Sequence, residues 1–232
     1  MRIAKGRGDY LDYQIKNNRN LALILLIIGA ITLVIYGLGI IFIIASIYLF
    51  RRKANYTKGK VGEITVEKYL HGLGDEYSLI NDVVIPGNIG NIDHVVLGPN
   101  GIFAIESKNY DGDIICDGDK WYRYYEGGLT FGRRRSLYWK SSREYDIGSP
   151  SKQVKGNCYR LKQYIQKSLG KNIWVEGIVV FTNPDVKLEI KNPTITILKV
   201  DQLNGFIKNK KSYTIFSTGE LKSIKESILG QS

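Results

Sequence analysis

Two carboxylates and one amine stand close together in the middle of this sequence, at Asp93, Glu106 and Lys108. Carboxylate oxygens are the ligands that hard divalent ions such as Mg²⁺ prefer, and an ammonium group beside such an ion can orient an attacking water molecule. These residue types together predict metal-dependent hydrolysis of a phosphodiester. The alternative is that all three are solvated surface charges beside a turn, as charged residues usually are.

The sequence around these residues predicts a β-hairpin. One apolar stretch ends at a reverse-turn cluster over residues 98–101, and a second apolar stretch follows it. If the turn closes symmetrically, Asp93 lies opposite Glu106, and the alternation of side chains along a strand places Lys108 on the same face. A turn shifted toward the second half of the cluster would place Asp93 opposite Lys108 instead. Both registers gather the three groups on one face of the hairpin.

Each group has a predicted role in this chemistry. Asp93 and Glu106 are the candidate ligands of Mg²⁺ or Mn²⁺, an ion that keeps several waters and completes its octahedron with substrate phosphate. Lys108 is the candidate for orienting the attacking water and for offsetting the charge that develops on phosphorus and its oxygens. All three are therefore candidate catalytic residues.

Two predicted helices flank the hairpin along the chain. Apolar residues recur near helical spacing over residues 60–73, with Glu63 away from the apolar stripe, and again over residues 151–169, with Gln153 in the first turn. Both polar residues are candidates for the same site. The alternatives are that the helix macrodipole favours Glu63 near a helix start, and that Gln153 only satisfies free backbone amides.

A set of short segments, taken in order, resembles the nuclease-related domain (NERD) family, a branch of the restriction-endonuclease-like PD-(D/E)XK superfamily. The matching segments are Gly62-Glu63, Asn91-Ile92-Asp93-His94, Gly98-Pro99-Asn100-Gly101, Glu106-Ser107-Lys108-Asn109, Gly112, Trp121, Ser149-Pro150 with Gln153, and Val179-Val180-Phe181. The resemblance spans roughly residues 58–200. It implies a nuclease or nucleic-acid-processing role, with one site lined by Glu63, Asp93, Glu106, Lys108 and Gln153.

The rest of the pattern predicts the fold class. Strands are expected over residues 77–85, 114–116, 121–125, 173–181 and 194–200, and short helices over residues 202–209 and after a capping box at residues 217–220. Residues 126–149 form a polar insertion. Strands grouped before and between helices imply an α/β/α sandwich with a mixed central sheet, which agrees with the restriction-endonuclease-like fold that the resemblance implies.

Residues 21–50 form an apolar run without a single charged residue. One helix of this length would measure about 45 Å, against a hydrocarbon thickness of about 30 Å, so the run predicts one tilted transmembrane span or a short hairpin that turns near residues 37–39. The partner of this segment would be the lipid bilayer. Because the denser basic cluster, Arg51-Arg52-Lys53, follows the run, we expect the rest of the chain to face the cytoplasm from the cell membrane.

This division gives four parts: a basic N-terminal segment over residues 1–20, the membrane segment over residues 21–50, a basic linker over residues 51–60 and a nuclease-related domain over residues 61–232. Two cysteines, Cys116 and Cys158, are too few and too far apart for a zinc site. We therefore expect both to be reduced, as is usual in a cytosolic domain.

The net charge of +11 suits the phosphates of DNA or RNA, or an anionic membrane leaflet. Within the insertion, Arg133, Arg134, Arg135 and Lys140 stand among several aromatic residues, and such a cluster can bind phosphates while its rings stack on bases. The alternative is an exposed hairpin whose aromatic side chains pack against the sheet.

Two functions fit these observations. The first is a membrane-anchored nuclease that hydrolyses nucleic-acid phosphodiester bonds with a metal-activated water. The second is a catalytically inactive module, tethered to the membrane, that binds nucleic acid or serves as a protein scaffold. The presence of Asp93, Glu106 and Lys108 together favours the nuclease, because an inactive module would be free to lose any of them.

Overall fold

The computed structural model describes residues 2–5, 10–36, 39–86, 90–125, 128–131, 137–140, 143–211 and 214–230. The helices are α1 Tyr10–Tyr36, α2 Gly39–Leu70, α3 Pro150–Leu169, α4 Leu203–Asn209 and α5 Thr218–Leu229. The strands are β1 Arg2–Lys5, β2 Ser78–Val83, β3 Ile92–Gly98, β4 Gly101–Lys108, β5 Gly112–Asp117, β6 Lys120–Tyr125, β7 Gly128–Phe131, β8 Leu137–Lys140, β9 Arg143–Asp146, β10 Val175–Phe181, β11 Val186–Lys191 and β12 Thr196–Lys199.

A six-stranded mixed sheet forms the centre of the fold, in the order β1-β2-β3-β4-β10-β12. Strands β2, β3 and β4 are antiparallel neighbours, whereas β10 runs parallel to both β4 and β12. Helices α2 and α4 cover one face, and helices α3 and α5 cover the other. The predicted mixed α/β architecture is therefore confirmed, and the layers are consistent with an α/β nuclease fold.

A second sheet, in the order β11-β5-β6-β9, lies against the end of the first, and β7 and β8 pair separately. Trp121 of β6 stacks on Phe181 at the end of β10, with the ring centroids 5.7 Å apart, and a shared apolar cluster joins the two sheets. The five predicted strands correspond to β2, β5, β6, β10 and β12. Strands β1, β9 and β11 were not predicted, and β7 and β8 were anticipated only by the alternative of a hairpin in the insertion.

The hairpin of β3 and β4 has the symmetrical register. Gly98 pairs with Gly101 and Leu97 with Ile102. Continuing this register places Asp93 opposite Glu106, as predicted, so the shifted turn is wrong. The pairing is possible because the four turn residues close the hairpin without a bulge.

The apolar run forms two antiparallel helices rather than one. Ser46 Oγ of α2 donates a hydrogen bond to the Ala22 carbonyl of α1, 2.9 Å away, and Lys60 pairs with Asp12 farther along the same two helices. Helix α2 continues without a break to Leu70, so the predicted linker over residues 51–60 is helical. Within the described part of the chain, no helix carries an apolar stretch long enough to cross a membrane, so the transmembrane segment predicted over residues 21–50 is not supported.

Candidate active site

The predicted hairpin groups meet at one end of the central sheet. Asp93 lies near the start of β3, and Glu106 and Lys108 lie near the end of β4. Because side chains alternate along a strand, these three lie on the same face of the sheet as Val95 and Ala104. Val95 and Ala104 belong to the apolar cluster that also contains residues of α3 and α5. The two carboxylates and the amine therefore lie on the face of the sheet that α3 covers.

Glu106 is the most enclosed of these groups, with only 2% of its surface exposed. Lys108 Nζ donates a hydrogen bond to Glu106 Oε1 at 2.7 Å, while Glu106 Oε2 has no hydrogen-bond partner among the described residues. Burial raises the pKa of Glu106 to about 8, and the nearby Asp93 carboxylate adds to this effect. Lys108 and Gln153 oppose the rise in the pKa of Glu106 without cancelling it. The free oxygen and the raised pKa mark Glu106 as a carboxylate that a cation would stabilise.

Asp93 is held in place by its neighbour across the hairpin. Asp93 Oδ2 accepts hydrogen bonds from the Ser107 backbone N–H at 2.8 Å and from Ser107 Oγ at 2.9 Å. Two donors on one oxygen fix the carboxylate in a single orientation. Ser107 thus positions the predicted ligand.

Lys108 joins the hairpin to helix α3. Its Nζ lies 2.7 Å from Glu106 Oε1 and 3.3 Å from Gln153 Oε1, so Lys108 and Gln153 meet as the sequence predicted. Burial on its own would lower the pKa of Lys108, but the Glu106 and Asp93 carboxylates outweigh it and raise the pKa above its ordinary value. The amine therefore stays charged at neutral pH.

The start of α3 is fixed by a hydrogen bond that the sequence did not indicate. Trp121 Nε1 of β6 donates to the buried Ser151 Oγ at 2.9 Å. Ser149 caps the helix by accepting from the Lys152 backbone N–H at 3.1 Å, and Pro150 occupies the first helical turn. These contacts set the position from which Gln153 reaches Lys108.

Helix α2 brings Glu63 to the same end of the sheet. A Cβ atom at Gly62 would lie 3.1 Å from Asn109 Cβ and 3.2 Å from Thr182 Oγ1, so the helix approaches the ends of β4 and β10 too closely for a larger residue to fit without a shift. Asn109 Nδ2 also donates to the Lys58 carbonyl at 2.9 Å. The glycine in the Gly62-Glu63 pair is thus what allows Glu63 to enter the site.

Glu63 is electrostatically coupled to the hairpin carboxylates. Burial raises the pKa of Glu63 to about 8, with further increases from Asp93 and Asp82 and a smaller one from Glu106. Three predicted residues therefore share one region of negative potential. A bound cation would relieve this repulsion.

Asp82 is a member of this cluster that the sequence analysis missed. It interrupts β2 with a left-handed backbone, at a φ of 54°, and Asn91 Nδ2 donates to its Oδ1 at 3.0 Å. Aspartate is among the few residues that tolerate this conformation, and strained backbone often occurs at functional sites. The available signal was the Asn81-Asp82 pair, which is unusual within an otherwise apolar strand.

His94 lies on the opposite strand face from Asp93. Its Nδ1 is 2.7 Å from Asn81 Oδ1, and both side chains are buried. Complete burial lowers the pKa of His94 to about 4, so the ring is neutral at physiological pH. His94 therefore packs and forms a hydrogen bond on the side of the strand away from Asp93.

The described carboxylates could supply one or two ligands to a hydrated magnesium ion, but they do not form a site built wholly from protein ligands. Among the residues that the structure describes, no group of three or more His, Cys, Asp or Glu side chains is arranged to hold a metal. Mg²⁺ usually takes only one or two carboxylates and retains water, and Asp93 with the free Glu106 Oε2 meets that requirement.

The predicted nucleic-acid contacts fall largely outside the described structure. Arg133, Arg134 and Arg135 lie outside the described residues, and Lys140 is the last residue of β8. Cys116 and Cys158 are both free thiols, as expected.

Residues 58–182 match the nuclease-related domain. This range contains all the candidate site residues and makes up more than half of the chain. The chain belongs to the NERD family, whose known context is the PD-(D/E)XK superfamily.

An uncharacterized protein of Bacillus anthracis is 38% identical to this chain over 61 residues. That match covers 25% of this chain and 29% of the relative's length, so it shows a shared segment and carries no activity with it. No solved structure matches this chain.

Proposed function

We propose that this NERD protein is a Mg²⁺- or Mn²⁺-dependent nuclease that hydrolyses phosphodiester bonds of DNA or RNA. The observation that carries the proposal is the buried Glu106, paired through one oxygen with Lys108 and free at the other, beside a fixed Asp93. Buried carboxylate oxygens normally have a partner. A metal ion bound at Glu106 Oε2 would supply the partner that the described residues do not.

Asp93 and Glu106 would hold the ion, whose chemistry is to polarise the phosphate and lower the pKa of a bound water. Lys108 then presents its ammonium beside Glu106, where it donates hydrogen bonds to the attacking water and to the oxygens that gain charge in the transition state. Gln153 restrains the ammonium from the α3 side through its Oε1. Glu63 shares the negative potential of the site, and in this proposal it would accept a proton from water.

The direct test is a cleavage assay with the full chain. Labelled single- and double-stranded DNA and RNA would be incubated with Mg²⁺, Mn²⁺ or EDTA, and calorimetry would measure ion binding in parallel. We expect cleavage that depends on the ion and ion binding that Asp93→Asn and Glu106→Gln abolish, whereas the exposed control Glu226→Gln retains both. Wild-type ion binding by both site variants would exclude the metal site.

A second candidate function is a module that binds nucleic acid, or another protein, without cleaving it. It is favoured by the direct 2.7 Å contact between Lys108 and Glu106, because an ammonium group already compensates the carboxylate that the metal would need. Retained nucleic-acid affinity with no cleavage under any ion condition would select this function. Asp93→Asn would then leave affinity unchanged.

We also propose that residues 21–50 attach the protein to the cell membrane, with the NERD domain in the cytoplasm. The support is the absence of charge from this run and the basic cluster that follows it at Arg51-Arg52-Lys53. Impermeant labelling of a cysteine introduced near residue 210 in intact cells tests the orientation. Reaction from outside the cell would overturn it.

A further inference from the structure

In soluble helical hairpins the large apolar side chains are buried between the two helices. In α1 and α2, small residues lie in the seam between the helices and many large apolar side chains are exposed. Between residues 20 and 50, the described buried residues are Ala22 and Gly29 on α1 and Gly39, Ser46 and Leu49 on α2, and all of them except Leu49 are small. A Cβ atom at Gly29 would lie 2.9 Å from Phe42 Cβ, so the two backbones are as close as glycine allows. Small residues at the seam are typical of helices that associate in lipid.

Most of the large apolar side chains on the described part of this hairpin are exposed rather than buried in the seam. Six isoleucines are between 53% and 66% exposed, namely Ile24, Ile27, Ile31, Ile40, Ile41 and Ile44. Exposed large apolar side chains on both helices make an apolar surface of the kind that marks a site of membrane or protein interaction.

A ring of basic residues marks one end of this surface. The Ala22–Ser46 contact and the Asp12–Lys60 pair define the antiparallel register of the two helices. In this register, Arg19 of α1 lies at the same level as the Arg51-Arg52-Lys53 cluster of α2. We call Arg19, Arg51, Arg52 and Lys53 the basic collar. From residue 20 to residue 50 the chain contains no charged residue. Cations at one level and none beyond them complement the anionic headgroups of a single leaflet.

The apolar arms are shorter than a membrane is thick. At 1.5 Å per residue, residues 20–36 measure about 25 Å and residues 39–50 about 18 Å, whereas the hydrocarbon core measures about 30 Å. The hairpin therefore reaches into the core without reaching the opposite headgroups. Its two ends leave on the side from which it entered.

We propose that α1 and the first part of α2 form a one-sided anchor that inserts into an anionic lipid leaflet as far as the basic collar. The inference rests on the membrane attachment proposed above and not on nuclease activity. It adds the lipid class, the depth and the topology of that attachment. Because α2 is continuous from Gly39 to Leu70, the anchor also sets the distance of the candidate site from the lipid. Glu63 lies thirteen positions after Phe50 on the same helix, which places Glu63 about 20 Å along the helix from the apolar arm.

Vesicle flotation of the full chain tests the lipid specificity. We expect the protein to float with phosphatidylcholine vesicles that contain phosphatidylglycerol, and more weakly with phosphatidylcholine alone. Arg19→Ala with Arg51→Ala should weaken partitioning into the anionic vesicles by roughly 30-fold, since each basic residue near such a surface contributes about a fivefold increase. The matched control, Lys222→Ala with Lys225→Ala on α5, removes the same charge and should float like the parent.

Depth and topology need a second measurement. In a chain with Cys116→Ser and Cys158→Ser, single cysteines at Ile31 and Ile41 would carry a polarity-sensitive dye, with Tyr13→Cys below the collar as control. Nitroxides on the lipid acyl chains should quench the dye at positions 31 and 41 and not at position 13. When the chain is added to preformed vesicles, an impermeant maleimide outside should react with both Tyr13→Cys and Lys225→Cys.

Three outcomes would overturn the proposal. Failure to float with either vesicle would remove lipid as the partner, and a stable oligomer that ignores vesicles would assign the apolar surface to a second copy of the chain. Protection of Tyr13→Cys with reaction of Lys225→Cys would show that α1 crosses the membrane and places residue 13 on the opposite side. Nuclease assays on the floated protein report on the proposed function separately, because loss of cleavage leaves the flotation result unchanged.

Discussion

At the scale of single residues, Glu106 links the chemistry of the site to the stability of the fold. Its pKa is raised to about 8 by burial and by Asp93, whereas an unfolded glutamate has its ordinary pKa of 4.5. Between these two values the folded protein holds a proton that the unfolded chain has released, so the stability contributed by this group falls as the pH rises. The loss of stability from ionising the buried Glu106 is complete only above about pH 8.

Replacing Glu106 with Gln removes this ionisation. Without divalent ions, the free energy of unfolding of Glu106→Gln relative to wild type should therefore increase between pH 4.5 and pH 8, by a few kcal/mol in total. Urea unfolding in EDTA at pH 5 and pH 8 measures this difference. Glu226→Gln on the exposed face of α5 should show a constant difference, and a constant difference for Glu106→Gln would mean that its carboxylate is not destabilised by burial.

Lys108 acts on the reaction rather than on the fold in our proposal. Lys108→Ala should lower the single-turnover cleavage rate by about 10²-fold or more, because the ammonium no longer stabilises the charge of the transition state. Folding and ion binding should remain, since Asp93 keeps both hydrogen bonds from Ser107. Lys187→Ala, whose side chain is 83% exposed on β11, is the matched control. Turnover at the wild-type rate in Lys108→Ala would reduce this lysine to a structural partner of Glu106.

At the scale of elements, the close approach of α2 to the strand ends positions Glu63. Gly62→Ala would place its Cβ 3.1 Å from Asn109 Cβ and 3.2 Å from Thr182 Oγ1, so α2 must move outward by a few tenths of an ångström. We expect a loss of about 1–2 kcal/mol in stability and a larger proportional loss of cleavage, because Glu63 moves with the helix.

Gly59→Ala provides the control on the same helix. Its added Cβ would meet only Leu11 Cδ1, at an ordinary 3.9 Å, so the better helix propensity of alanine should stabilise the protein by up to about 1 kcal/mol. Denaturant unfolding and cleavage rates of the two variants separate the effect of the contact from the effect of glycine itself. Equal behaviour would show that the approach of α2 at Gly62 is unimportant.

Some elements could be predicted because their determinants are local. The symmetrical hairpin follows from the turn cluster at residues 98–101, and Ser217 and Glu220 form the capping box that starts α5. Strand β11 was missed although its alternation of Val186, Leu188 and Ile190 with charged residues was visible. The basic cluster at residues 51–53 predicts a boundary, but nothing between residues 51 and 60 ends a helix, so the linker is helical.

Other features of the site depend on contacts between distant parts of the chain. Ser151 is fixed by Trp121, 30 residues earlier, and no local pattern links the two. Asp82 enters the carboxylate cluster through a left-handed backbone conformation that interrupts β2. Tertiary packing decides both positions, so single-sequence reasoning reached Glu63, Asp93, Glu106, Lys108 and Gln153 but not the residues that support them.

At the scale of the whole molecule, two groups of basic residues in this chain of net charge +11 have different proposed partners. The basic collar lies on the helical hairpin, beside the apolar arms. Arg133, Arg134 and Arg135 follow β7 in the sequence, within the insertion over residues 126–149 and within the family match. This separation predicts that nucleic-acid binding and lipid binding can be weakened independently.

Replacing Arg133, Arg134 and Arg135 with Ala should weaken nucleic-acid binding and flatten its dependence on salt. Each lost phosphate contact lowers the slope of log affinity against log salt concentration by about 0.7 for single strands and about 0.9 for duplex DNA. The matched control replaces Lys167, Lys222 and Lys225, on the α3 and α5 layer, and removes the same net charge. Fluorescence anisotropy across a salt series distinguishes the two triple variants. A reduced slope only in the arginine variant would place the nucleic acid on the insertion, whereas equal slopes in both variants and wild type would assign these arginines to another partner.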